Sequence, residues 1–188
     1  MRTTWSDENV VIRPYVESDV DALYEAVRES VDEVGRWLSW CHPAYSRAES
    51  VAWIASRRGA WAKGEAYGFG IFDTRSEMFL GGCGLNHFNH LHQFANLGYW
   101  IRTSQAGRGI ATAAAQLVAR FGFEALGLVR VEIVVSVANL ASQRVAEKLG
   151  ATREGVLRNR LIQRDGVTDS VMFSLIPEDL GLATRVPV

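Results

Sequence analysis

Cysteine is scarce in this chain of 188 residues: only Cys41 and Cys83 occur, too few for a disulfide framework. A fold stapled by bridges is thereby excluded. Charge of either sign is not in excess, with 20 Lys plus Arg against 21 Asp plus Glu, so no broad basic field exists to attract nucleic acid. No apolar run approaches the roughly 20 residues that cross a bilayer, and the opening MRTTWSDENVVIRPY lacks the charged-then-apolar layout of a secretory signal. These absences lead to the expectation of a cytoplasmic protein with neither a nucleic-acid nor a membrane partner. What is present, 48% hydrophobic and 22% charged residues, is ordinary for a globular protein and sufficient for one compact domain over residues 1–188.

The stretch VVIRPY (Val10 to Tyr15) reads as a first strand, and Ser18 with Asp21 three residues on marks a helix start, after which Val20, Leu23, Tyr24 and Val27 share one face. Ser46 with Glu49 has the spacing of a capping box and opens a second helix whose stripe is expected to be Val51, Ile54 and Ala55. AYGFGIFD, EMFLGGCGL and FANLGYWIR read as an antiparallel meander, with NHFNHLHQ as a turn. A long helix is predicted from about Ile110 to Leu126, stopped at Gly127. The β-branched run LVRVEIVVSV has the pattern of a strand covered on both faces, and NLASQRVAEKLG supplies an Asn N-cap, a short helix and a terminating glycine. A last hairpin is expected to turn at Asp165–Gly166 in type I′ geometry.

The most informative segment is SQAGRGIATAAAQLVARFGFEAL, which sets two glycines around Arg108 directly before the long helix. A strand, a glycine-rich turn and a helix N-terminus together make an anion site, because the first helical N–H groups lack internal partners and the helix dipole adds positive potential. Gly107 and Gly109 let the backbone approach diphosphate oxygens, and Arg108 can pair with another phosphate. The segment completes neither the nucleoside-triphosphate loop nor the dinucleotide fingerprint. Taken alone, a tight turn with room for helix packing explains it equally well.

GYWIRTSQAGRGIAT followed by NLASQRVAEKLGATREG resembles the GCN5-related N-acetyltransferase (GNAT) superfamily, and within it the RimJ/RimL-type branch that acetylates protein N-termini. The order of elements is similar over nearly the whole chain. The resemblance implies an α/β (α+β) fold with a mixed, mostly antiparallel central sheet of about seven strands, splayed in the middle and flanked by about four helices. It also implies acetyl-coenzyme A as cosubstrate. Ala106, Gly107, Arg108, Gly109, Ile110 and Ala111 match the loop whose amides hold the diphosphate, although Ala106 stands where the family has Gln or Arg. Ile101 and Thr103 match the strand end that pairs its backbone with the pantetheine arm. Asn139 matches the asparagine beside that arm, and Ser142 the serine that protonates the departing thiolate. An ordinary N-cap for Asn139 and a solvated or back-bonded serine at 142 are the structural alternatives.

The chemistry requires a neutral amine, donors for the oxyanion and an exit for a thiol of pKa ~8.5. Deprotonating a lysine side chain at neutral pH costs upwards of about 4 kcal/mol, and a chain N-terminus only about 1 kcal/mol. Many relatives place a glutamate before Gly-Tyr, whereas this chain has Asn96, which cannot act as a base. Deprotonation then falls to water, to Glu132 on the following strand, or to a histidine such as His87. His87, His90 and His92 fit no common zinc motif, so no metal is expected. Trp37, Trp40 and Tyr45 occupy the loop that lines the acceptor cleft in such enzymes, with core packing as the alternative. Arg153, Arg158, Arg160 and Arg164 crowd the C-terminal segments and suit coenzyme phosphates, an acidic acceptor or plain solvent. The expected reaction is direct acetyl transfer to a peptide N-terminal amine. A small amine acceptor, or a non-catalytic acyl-coenzyme A module, are the competing readings. An exposed strand edge at the C-terminal hairpin allows a homodimer.

Overall fold

The computed structural model describes residues 2–184. In chain order the elements are β1 (Trp5–Ser6), β2 (Val10–Pro14), α1 (Val20–Glu29), α2 (Arg47–Lys63), β3 (Tyr67–Asp73), β4 (Phe79–Asn89), β5 (Phe94–Ile101), α3 (Ile110–Leu126), β6 (Arg130–Ser136), α4 (Leu140–Lys148), β7 (Thr152–Gln163) and β8 (Gly166–Leu175). The strands form one sheet in the order β1-β2-β3-β4-β5-β6-β8-β7. The count is eight rather than about seven because the two-residue β1 adds itself to the edge beside β2. All neighbours are antiparallel except β5 and β6. No helix among the described residues is long and apolar enough to cross a membrane.

One face of the sheet is covered by α3 and α4, the other by α1 and the first half of α2. The helical period puts Ile110, Ala114, Leu117, Val118 and Phe121 on the buried side of α3, as its pattern predicts, and Gly127 ends it in the left-handed conformation at φ 70°. Phe121 is the hub, with the rings of Trp5, Trp61, Tyr67 and Phe69 at centroid distances of 6.3, 5.8, 5.3 and 5.1 Å. These edge and tilted contacts add to the burial of a large apolar side chain.

Several local expectations are corrected. The entry to α1 is organised by Asp19, which accepts from the Val16 amide at 2.8 Å and grips Arg13 with both oxygens; the Ser18–Asp21 spacing plays no part. The Ser46–Glu49 box is present, the Glu49 carboxylate accepting from the Ser46 amide at 2.8 Å. Yet Val51 and Ala55 are exposed, and the buried positions of α2 are Ser50 and Ile54. β6 buries Val131, Ile133 and Val135 but leaves Glu132 and Val134 half-open, since its second face fronts a cleft instead of a helix. β4 runs on through Asn89, so His87 lies in a strand and not in the turn. The last hairpin turns on Arg164 and Asp165, with Gly166 already paired to Gln163. Neither turn residue has positive φ, so the type I′ geometry is absent.

Candidate active site

The pairing of β5 with β6 lasts for three residues, Phe94–Arg130, Ala95–Val131 and Asn96–Glu132. Beyond Asn96 the strands diverge, and β5 continues to Ile101 with only β4 beside it. The splay expected from the resemblance is therefore present, and it opens a cleft of about 1200 Å³. That exceeds the roughly 300–1,000 Å³ of a single drug-sized site and leaves room for two reactants.

At the end of β5 the chain makes one 3₁₀ turn, Thr103–Gln105, then enters α3 through Gly107 (φ 77°) and Gly109 (φ 80°). Both glycines take the left-handed conformation, which turns successive amides toward one side. Among the described residues, none of the amides from Gly107 to Thr112 finds a protein acceptor outside the helix ladder, and the first return bond is Ala113 N–H to the Gly109 carbonyl at 3.1 Å. Ala106, Gly107, Gly109, Ile110 and Ala111 all line the cleft; Arg108 lies in the same loop, its guanidinium donating to Gln105 Oε1. An anion is what this row of donors is built to hold.

The corner before the loop is clamped from α1. Arg102 donates to Glu29, whose other oxygen accepts from the Ser104 amide at 2.7 Å. The Thr103 amide donates to Ser30 Oγ at 3.1 Å and the Thr103 carbonyl accepts from Ala106 N–H at 3.2 Å. Thr103 thus lines the cleft but does not extend the free edge of β5, because its amide is already taken; Ile101 is the last strand residue. The Arg102 guanidinium, with the Ser104 amide, holds the Glu29 carboxyl down from 4.5 to about 2. A carboxyl depressed on folding stabilises the protein above its unfolded pKa and loses that contribution as pH falls toward the folded value. Melting curves of the wild type and Glu29→Gln should accordingly differ most above pH 4.5 and converge as pH drops toward about 2.

Across the gap, Asn139 caps α4, its Oδ1 accepting from the Ser142 amide at 3.1 Å, and both residues line the cleft. Ser142 Oγ lies 3.0 Å from Tyr99 Oη, which also reaches the Ser142 carbonyl at 3.1 Å. Tyr99 has one hydroxyl hydrogen for these two oxygens. When it bonds Oγ, the Ser142 hydrogen is released toward the cleft. Burial pushes the Tyr99 phenol up to about 12, against the hydrogen bond to Ser142, so it stays a donor.

On the opposite face, Asn96 marks the point where the strands part, and its Nδ2 donates to Asn86 Oδ1 at 2.9 Å. Beside it a bulge in β4 opposes His87 and Phe88 to one residue of β5; His87 (φ 50°) lines the cleft. Trp37 and Trp40 also line it, Trp40 standing edge-on to Trp100 at 5.4 Å. Glu132 is brought level with Asn96 but not into the cleft: its carboxylate accepts from Arg130 at 2.9 Å, and Arg130 in turn binds Glu154.

Residues 9–152, which hold the gap between the two parallel strands and the helix start with unpartnered amides, are matched by a family model described as an acetyltransferase (GNAT) domain. The chain belongs to the GNAT acetyltransferase family. Bacillus subtilis YdaF, provisionally named a ribosomal N-acetyltransferase, is 28% identical over 95% of this chain and 97% of its own. A Vibrio cholerae structure, provisionally described as a ribosomal-protein-serine acetyltransferase, is 32% identical with a TM-score of 0.81 over 93% of this chain and 97% of that one. RimL, a ribosomal L7/L12 alpha-N-protein acetyltransferase solved with coenzyme A, shares the fold at 24% identity and a TM-score of 0.83, over 90% of this chain and 95% of that one.

For this GNAT acetyltransferase the sequence reading overlooked Tyr99. Alternation along β5 sets Tyr99 on the α4 side, opposite Asn96, Gly98 and Trp100, which is a usable signal. Its partner lies 43 residues away, and nothing local announces that contact.

Proposed function

We propose that the protein transfers acetyl from acetyl-coenzyme A to the N-terminal amine of a peptide or protein. The observation that carries this reading is the gap between β5 and β6 opening beside the unpartnered amides of residues 107–112. Acetyl-coenzyme A supplies the activated acyl group. The loop amides and the α3 dipole suit its diphosphate, with Arg108 able to swing from Gln105 to a phosphate oxygen. The β5 edge up to Ile101 offers main-chain groups to the pantetheine arm, and Asn139 keeps its Nδ2 free beside them.

Ser142, once accepting from Tyr99, donates a hydrogen bond to the sulfur as the C–S bond breaks and the C–N bond is made, and the departing sulfur takes up, through the hydroxyl, the proton that the amine nitrogen sheds on becoming an amide. No covalent acyl-enzyme is invoked, since Cys83 is buried and burial raises its thiol far from the reactive range. Of the two carboxylates that line the cleft, Glu49 is held on both oxygens by the Ser46 cap and His42, and Glu33 stands at the far end of β5, accepting from Thr103 Oγ1 on one oxygen. Glu132 is held by Arg130. With Asn96 in the strand and its neighbour Glu132 held by Arg130, no free carboxylate stands where the strands part, which favours an amine that loses its proton at about 1 kcal/mol over one that needs about four times as much. Asn96 Oδ1, left open by the bond its amide makes to Asn86, can orient that amine.

The comparisons with ribosomal-protein acetyltransferases support the same acceptor class. Thiol release should be measured on peptides with a free N-terminus, on N-capped peptides with one lysine, and on polyamines. Turnover confined to the first set is the expected result. Turnover on lysine or polyamine alone would replace the acceptor, and saturable coenzyme binding with no release on any would leave a binding module.

A further inference from the structure

The floor of the acceptor side of the cleft carries no side chains. Gly68, Gly84 and Gly98 lie in register across β3, β4 and β5, on the face away from α3. A β-carbon at Gly84 would strike the Tyr67 carbonyl at 2.4 Å, and one at Gly82 would meet Tyr15 Oη at 2.5 Å and Trp100 Nε1 at 2.7 Å. The tyrosine hydroxyl and the indole N–H therefore crowd one spot above the trench; the Trp100 indole N–H has no protein partner among the described hydrogen bonds, and the Tyr15 hydrogen stays free because the Trp53 indole can only donate to its oxygen. Burial raises the Tyr15 phenol well above its ordinary pKa, with the Trp53 side chain as the opposing influence, so it remains a donor.

Arg57, from α2, leans over the same trench. Its Cδ lies 3.2 Å from where a Gly68 β-carbon would be, its guanidinium stacks on Trp53 at 3.8 Å, and Nε and Nη2 both donate to Ser56 Oγ. Nη1 has no acceptor, and Arg57 forms no ion pair among the described residues. Of the carboxylates of the cleft, Glu49 is bound by Ser46 and His42, and Glu33 accepts from Thr103 Oγ1; neither pairs with Arg57. The other cations lining the cleft are Arg144 and Lys148 of α4, across the gap, and Arg160 of β7, whose end reaches the Trp37 loop where Gln163 Nε2 donates to the Trp37 carbonyl. Arg57 is the cation that stands directly over the glycine trench.

We propose that Arg57, with the Tyr15 hydroxyl and the Trp100 indole N–H, forms a subsite for a carboxylate carried by the acceptor close to its reacting amine. A stacked, preorganised guanidinium with an open Nη1 brings positive charge beside an indole N–H and a hydroxyl hydrogen, so the spot selects an oxygen anion and disfavours a basic group. The inference rests on the acetyltransferase reading and names its acceptor class more narrowly. The carboxylate comes either from an acidic residue following a peptide N-terminus or from the α-carboxylate of a free amino acid.

The test uses C-terminally amidated peptides with N-terminal Ala and Asp, Asn or Lys next to it, and free amino acids against their amides. Each is followed by kcat/KM for thiol release and by calorimetric titration in the presence of coenzyme A. Acidic acceptors should be favoured by about tenfold or more, the scale of one charged hydrogen bond. Arg57→Ala should abolish that preference through KM, Arg57→Lys should keep part of it, and Arg57→Glu should turn it toward the Lys peptide. The arm that shows the preference identifies the source of the carboxylate. Equal treatment of Asp and Asn and of acids and amides by the wild type, or a preference that survives Arg57→Ala, overturns the subsite. If no acceptor is acetylated, the acetyltransferase reading fails separately, and the titrations still decide the preference for an acid.

Discussion

Gly109→Val should cost at least about tenfold in affinity for coenzyme A while removing only about 1–2 kcal/mol of stability, the penalty of a side chain in left-handed backbone. Gly109 stands at φ 80°, immediately before α3, and a β-branched residue is least tolerated there. No atom lies within 4 Å of a β-carbon at Gly107 or Gly109, so a side chain there starts out into open space and not against the rest of the protein. What it disturbs is the direction of the amides that follow and the space in front of them. Calorimetry with coenzyme A, beside a denaturant melt, separates the two effects. Unchanged affinity in a folded variant would show that the phosphate-bearing end of the coenzyme is held elsewhere.

Ser142→Ala should lower kcat by about one to two orders of magnitude with little change in coenzyme affinity, the lower end of what a positioned proton donor contributes. The lower end applies because a thiol of pKa ~8.5 is already a tolerable leaving group. Tyr99→Phe removes the hydrogen bond that frees the Ser142 proton and should show a smaller loss in the same direction. The double variant should lose little more than Ser142→Ala alone, since the two hydroxyls act as a unit. Additive losses would mean that Tyr99 acts independently of the serine. Acceptors with better and poorer amines, compared under single-turnover conditions, show whether the deficit lies in departure of the sulfur or in attack.

Most of the framework could be read from the chain before its structure. α3 was legible in full because its apolar period, its glycine entry and its glycine stop all agree. The Ser46–Glu49 box and the Asn139 cap were legible because capping is local. The failures share a cause. Val51 and Ala55 of α2 look like a core stripe with Ile54, but both are exposed, because the helix turns Ala52, Trp53, Ser56 and Arg57 to a cleft instead of packing a full stripe against a covered layer. β6 misled for the same reason. Arg57 and Tyr99 were invisible because each acquires its meaning from a surface assembled by distant segments. The loops at Asp19 and Arg164 were misplaced by one position, where an ion pair to Arg13, six residues back, and the register of β7 with β8 overrode the local spacing.

Three rungs, from Phe94–Arg130 to Asn96–Glu132, are the whole of the direct stitching between the two portions of the sheet. A pantetheine arm laid along β5 would therefore do more than occupy space: it would serve as a borrowed strand, completing a seam that the polypeptide leaves undone. Each catalytic cycle then closes and reopens the sheet. Departure of the spent carrier becomes an unzipping event, and resistance to amide exchange on both sides of the seam should rise and fall with it.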